Sequence, residues 1–140
     1  MRDSTVRRLS RLHRLVFRAT KGRIGARLVD NDMLLLTTRG AVTGEPHTVP
    51  LLFLRDADRL VVIASYGGRP DHPQWYRNLV AEPVVGVRLP RARTTVERTA
   101  RTATADERRT WWPRIVEAYD GYETYQARTE REIPVVFLEP

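Results

Sequence analysis

From Met33 to the C-terminus the chain reads as short β-rich apolar runs, each stopped within a few residues by glycine, proline or aspartate. That punctuation restricts it to strands too short for anything but a small sheet. MLLLTT (33–38) ends at a turn around Gly40 and Gly44, and HTVPLLFLR (47–55) follows. Asp56-Ala57-Asp58 predicts a hairpin turn into RLVVIAS (59–65). VVGVRL (84–89) and TTVERTART (94–102) suit a second hairpin, and IPVVFLE (133–139) closes the chain as a strand. Residues 49–54 and 60–64 are apolar at every position, which predicts central strands packed on both faces. YGGRPDHP (66–73) reads as a loop, and QWYRNLVAE (74–82) as a short helix. Thr104 with Glu107 has the spacing of a capping box, so a helix starts there, and Pro113 should kink or restart it. Asp120 and Glu123 repeat the capping pattern ahead of Tyr125. About six mainly antiparallel strands with flanking helices define an α+β chain built as a small barrel.

At 140 residues, 41% hydrophobic and 29% charged, the chain suits one globular domain. Its lack of cysteine excludes disulfides, thiolate nucleophiles and thiolate metal sites. VPLLFL (49–54) is among its longest apolar runs, far short of the ~20 residues that cross a bilayer. Arginines interrupt the N-terminal segment before any apolar stretch of signal-peptide length, which argues for a cytoplasmic protein. The net charge of +7 is unevenly spread. Residues 1–28 hold nine of the 24 basic residues and one of the 17 acidic ones, Asp3. This divides the chain into a basic arm, 1–28, and a nearly neutral barrel domain, 29–140. Within the arm, Val6, Leu9, Leu12, His13, Leu15, Val16 and Phe17 recur at helical spacing between arginines. Such a helix lies either on an anionic membrane surface or on the domain with its arginines solvated. Nucleic acid is not expected, since the arm has no interleaved aromatics and the body no basic stripe.

Familiar catalytic constellations are missing. His13, His47 and His72 are isolated, without a second ligand at metal spacing, so no metal is expected. No serine sits in a nucleophile elbow, and no Rossmann fingerprint or Walker loop is present. Asp56 and Asp58 belong to a turn. Three features remain: the turn Arg39-Gly40-Ala41-Val42-Thr43-Gly44, the run Ser65-Tyr66-Gly67-Gly68 leading to Trp75, and the triplet Tyr119, Tyr122, Tyr125. Glycine turns offer amides to anions, aromatics make a wall, and hydroxyls orient a ligand. Each also has a plain alternative as hairpin turn, core filling or packing stripe.

Three longer stretches carry a resemblance. LLLTTRGAVTGEPHTVPLLFL (34–54), ASYGGRPDHPQWYRNL (64–79) and WWPRIVEAYDGYETYQ (111–126), with IPVVFLEP (133–140), resemble the deazaflavin-dependent nitroreductase family. The resemblance runs over about residues 33–140. It implies a split β-barrel like that of flavin-binding oxidoreductases. It also implies coenzyme F420, an 8-hydroxy-5-deazaflavin with a phosphate and polyglutamate tail, as donor of a hydride to a quinone, nitroaromatic or activated enone. By position, Ala41, Val42 and Thr43 would approach the phosphate and tail. His47, Thr48, Val49, Pro50, Leu51 and Leu52 would run beside the coenzyme. Ile63, Ala64, Ser65 and Tyr66, with Gln74, Trp75, Tyr76, Arg77 and Asn78, would complete the pocket. Tyr122 matches a tyrosine near the ring system, with Tyr119 and Tyr125 flanking the substrate. Ser65 and the tyrosines would orient the substrate and supply a proton.

The chain departs from the family pattern where that pattern is charged. Ala41 and Val42 replace two basic residues, His47 an arginine and Tyr66 a lysine, and Leu52 replaces a tyrosine. Two alternatives therefore stand beside the reductase: a non-catalytic barrel binding an apolar ligand such as a fatty acid, and a reductase using FMN. Either a monomer or a homodimer is compatible with these features.

Overall fold

The computed structural model describes residues 33–140. The basic arm expected over residues 1–28 lies outside them. In chain order the elements are β1 (Met33–Arg39), β2 (Pro46–Leu52), β3 (Leu54–Asp56), β4 (Arg59–Ile63), a single 3-10 turn (Tyr66–Gly68), α1 (Gln74–Ala81), β5 (Val84–Arg88), β6 (Val96–Thr102), α2 (Ala105–Ala118), α3 (Gly121–Ala127) and β7 (Val135–Glu139).

All strand pairs are antiparallel, in the order β2-β1-β5-β6-β7-β4-β3. The two edge strands of that order are consecutive pieces of one segment, 46–56, interrupted at Phe53. One half pairs with β1 and the other with β4, so a single bent strand joins both sides of the sheet and the sheet must curl. The break at Phe53 also explains why there are seven strands where the sequence suggests about six.

Alternation along the strands sorts the apolar side chains into two layers. Leu34, Leu36, Leu60, Val62, Val136 and Leu138 point inward with Phe53, Val85, Val87 and Ala100. Trp75 and Leu79 of α1 join this interior. Their neighbours Val61, Ile63, Val135 and Phe137 point outward and are covered by Trp111 and Ile115 of α2 and Tyr122 of α3. Each large aliphatic side chain so buried contributes about 1.5–3 kcal/mol.

β4 is buried between β7 and β3, as its apolar run predicts, but β2 is not a central strand. β2 is an edge strand, which Pro46 and Pro50 require because proline offers no N–H to a second partner. Its extra apolar residue, Leu52, packs instead against Met33 and Leu35. The capping box forms as expected: Thr104 Oγ1 accepts from the Glu107 amide at 3.2 Å, and Glu107 Oε1 from the Thr104 amide at 2.9 Å. α2 continues through Pro113. The second expected box does not form, because Asp120 is already helical (φ −68°, ψ −18°) and its side chain caps nothing.

Candidate functional site

Strand directions place the candidate residues together. β1, β4 and β6 run one way and β2, β3, β5 and β7 the other. The turn after β1, the loop after β4 and the approach to β7 therefore share one end of the barrel.

At that end the β1–β2 connection is a tight turn. The Gly44 amide donates to Gly40 O at 2.8 Å, and the Gly40 amide to Glu45 O at 2.7 Å. Gly44 has φ 74°, a left-handed value that glycine adopts without strain. A buried amide side chain braces this turn. Asn78, fully buried on α1, accepts from the Ala41 amide at 3.0 Å and from Gln74 Nε2 at 2.9 Å. It donates to Thr38 Oγ1 at 3.0 Å. The amides of Val42 and Thr43 keep no acceptor among the described residues. Two successive N–H groups without an acceptor on a braced turn are the kind of donor that an anion uses. Val42 itself is 95% exposed. Along β2, Thr48 Oγ1 meets Thr37 Oγ1 at 2.8 Å, while Val49 and Leu51 pack inward and Pro50 is buried. His47 is exposed beside the turn.

Chain path after β4 is strained. Tyr66, Gly67 and Gly68 have φ 48°, 64° and 77° in succession. The tyrosine in this left-handed region stores about 1 kcal/mol or more of strain. The Gly68 amide returns to Ser65 O at 2.9 Å. A Cβ on Gly68 would come 2.5 Å from Tyr125 O, so this turn sits directly on α3. Ser65 and Tyr66 are thereby brought beside the tyrosines. Ala64 and Ile63 are buried below them, Ile63 under Trp111 and Tyr122.

The three tyrosines do not share one helix. Tyr119 ends α2 in extended backbone, and Tyr122 and Tyr125 belong to α3. Their rings nevertheless meet edge to face, 5.2 Å between the Tyr119 and Tyr122 centroids and 6.2 Å between Tyr122 and Tyr125. Gly121 permits this, since a Cβ there would lie 2.8 Å from the Tyr119 ring. Burial pushes the Tyr122 phenol well above the ordinary tyrosine range. Burial, then a hydrogen bond with Tyr119, pushes Tyr125 up to about 12.

The remaining expected site residues lie on α1. Trp75 fills the barrel interior. Tyr76 directs its hydroxyl to Thr102 Oγ1 at 2.9 Å and its ring to His72 at 4.8 Å. Arg77 is exposed, 3.9 Å from Asp71. Sequence reasoning missed Thr38, Gln126 and Arg131. Gln126 Oε1 accepts from Arg108 and from the Ile133 amide, both at 2.9 Å, joining α3 to α2 and β7. Arg131 binds the 64–72 loop. No local pattern marks these residues, because their partners are distant in the chain.

Among the described residues no helix is long and apolar enough to cross a membrane. The sequence matches the family model of F420H(2)-dependent quinone reductases over residues 9–140, a range that includes most of the basic arm. F420H(2)-dependent quinone reductase Rv1261c of Mycobacterium tuberculosis is 39% identical over 132 residues, covering 93% of this chain and 89% of that protein. An F420-H2-dependent reductase of known structure, FDR-A, superimposes with a TM-score of 0.68 at 41% identity, over 76% of this chain and 93% of its own. A structure described as a domain-swapped dimer gives a TM-score of 0.70 at 37% identity, over 91% and 96%. HutZ, a heme storage protein of Vibrio cholerae, shares the fold alone, at 17% identity, a TM-score of 0.55 and coverage of 77% and 80%.

Proposed function

The chain belongs to the F420H(2)-dependent quinone reductase family, and we propose that it reduces a quinone at the barrel end where turn 40–44, loop 64–72 and the tyrosines meet. Family membership makes it a split-barrel oxidoreductase with coenzyme F420 as its hydride source. The observation that carries the placement is the braced turn, whose Val42 and Thr43 amides suit a phosphate without basic side chains at 41 and 42. Residues 41–43 would hold the phosphate and tail, and 47–52, 63–66 and 74–78 would surround the rest. Bound in its reduced form, coenzyme F420 supplies a hydride.

The protein's own part is to bind, orient and protonate. A quinone accepting a hydride gains negative charge on oxygen, and a neutral phenol 2.7–3.1 Å away stabilises that charge best. Tyr119 and Tyr125 are hydrogen-bonded to each other, and Tyr125, pushed up to about 12, stays protonated at physiological pH. One of them donates the proton that completes the hydroquinone, and solvent returns it. Ser65 lies on the turn packed against the same helix and orients the substrate oxygen. Nitroaromatics and activated enones present the same oxygen chemistry.

We place this activity in the cytoplasm, with residues 1–28 meeting the inner membrane face where a lipid-borne quinone resides. A homodimer is the favoured assembly, since one relative is a domain-swapped dimer. The test is retention of F420, FMN or a long-chain fatty acid by the purified chain, then oxidation of retained reduced F420 by added quinone. F420 retention with quinone-dependent oxidation is expected. Preference for FMN or the fatty acid would replace this reading with the corresponding alternative. Flotation with anionic but not neutral vesicles is expected for the full chain.

A further inference from the structure

Arg131 stands on the segment between α3 and β7, and its guanidinium is used almost entirely on one distant loop. Nη2 donates to Ser65 O at 2.7 Å, Nε to Arg69 O at 2.8 Å, and Nη1 to Ala64 O at 3.2 Å. Nη1 also lies 3.0 Å from His72 Nδ1. The side chain is half-buried, and burial lowers its basicity, opposed only by the field of Asp71. A guanidinium spent on neutral acceptors gains less from pairing than one held by a carboxylate. What it gains is geometry, because the planar fork fixes several acceptors at once.

The acceptors are informative. Ala64 O and Ser65 O belong to successive peptide units, and a trans peptide directs its N–H opposite to its C=O. By holding both carbonyls on its own side, Arg131 turns the N–H groups of Ser65 and Tyr66 away from itself. Those two residues open the strained turn that rests on α3. The clamp adds to the Gly68–Ser65 and Arg69–Tyr66 backbone bonds that hold the left-handed φ of Tyr66 against relaxation.

We propose that Arg131 is a positioning residue for coenzyme binding: it sets the peptide orientation of residues 64–66 and so the donor face of that loop. This rests on the reading that coenzyme F420 binds at this end of the barrel. It adds a residue outside the pocket that acts through the loop's backbone.

The test uses the full chain with Arg131→Lys, which keeps the charge but cannot span the acceptors. His72→Phe is the milder companion, keeping a ring against Tyr76 while removing one acceptor. Three quantities are read: F420 affinity by titration, KM and kcat with quinone, and amide exchange of the coenzyme-free protein. Arg131→Lys should weaken F420 binding about tenfold or more, raising KM for the coenzyme more than it lowers kcat. Faster exchange should be confined to residues 65–69. His72→Phe should show the same pattern at about two- to fivefold. Unchanged affinity in either folded variant, or faster exchange spread over the whole barrel, would overturn the inference. Failure of the wild-type chain to bind F420 would instead overturn the site reading on which it rests.

Discussion

A phenol donates a proton to a developing oxyanion only while it is still protonated, and its neighbours decide the range over which that holds. Tyr125 is pushed up to about 12 by burial and by its hydrogen bond with Tyr119, so it remains a donor across physiological pH. Tyr119→Phe and Tyr125→Phe should each lower kcat and kcat/KM together by about tenfold or more, the pattern of an interaction made in the transition state. F420 affinity should stay within about twofold, since neither hydroxyl is placed on the coenzyme. Steady-state kinetics beside equilibrium titration checks this, and unchanged turnover in both variants would leave the pair as packing. Asn78 poses a different question, because its carbonyl oxygen accepts from Ala41 and Gln74 while its nitrogen donates to Thr38, so it braces the turn. Asn78→Ala strands the Ala41 amide and the Thr38 hydroxyl. It should cost about 2–3 kcal/mol in denaturant unfolding, because each buried group left unpaired costs about 1–3 kcal/mol. It should also weaken F420 binding by loosening the turn.

Elements were legible where their signals are local. The Thr104–Glu107 box is readable because cap and partner are three residues apart, and it forms. The same pattern at Asp120 and Glu123 misleads, because α2 ends only two residues earlier and Asp120 is already in helical backbone, where the Glu123 amide bonds to its carbonyl. The edge position of β2 was signalled by Pro46 and Pro50 but masked by the apolar run around them. Glu107 does more than cap. Its two oxygens accept from Arg101 Nη1 and Nη2 at 2.7 and 3.0 Å, and Arg101 also reaches Glu139 Oε1 at 3.1 Å. The Arg101 bond first, then the Thr104 amide, draws the Glu107 carboxyl down from 4.5 to about 2. A carboxyl depressed on folding stabilises fully above its unfolded value and less as pH falls through its folded value. The contribution of Glu107 is therefore present above about 4.5 and lost between there and about 2. Glu107→Gln should flatten stability against pH in that window, measured by thermal unfolding. Thr104→Ala, which removes the cap, should cost about 1 kcal/mol above that window. A Gln variant with the wild-type acid slope would move that slope to another carboxylate.

At the scale of the molecule, barrel class and the strands other than the break at Phe53 were readable from alternation and turns, but closure was not. Nothing in HTVPLLFLR says that its two halves pair with opposite sides of the sheet. That depends on β1 and β4 lying on either side of one bend, a relation the folded chain alone creates. The site was legible only as three separate stretches, joined by resemblance, because the residues that knit them act over long separations. Arg131 reaches back to Ala64, and Asn78 to Ala41. Phe53 is the test of closure. It is 4% exposed, sits where β2 passes into β3, and packs with the inward layer of both flanking strands. On the β1 side the bend follows Leu52, which pairs with Met33, far from turn 40–44; on the β4 side it precedes Leu54, which pairs with Val61, close to loop 64–72. Phe53→Ala should therefore lower stability by about 3–5 kcal/mol, the cost of a lost ring and the space it leaves. Urea unfolding should show an earlier midpoint with little change in slope, because the surface exposed on unfolding is nearly the same. The molecules that remain folded should also bind F420 more weakly, since the bend follows Leu52 and abuts the strand that ends at loop 64–72, and neighbouring sites couple. Unchanged coenzyme affinity in a destabilised variant would mean that the bend closes the barrel without shaping the coenzyme site.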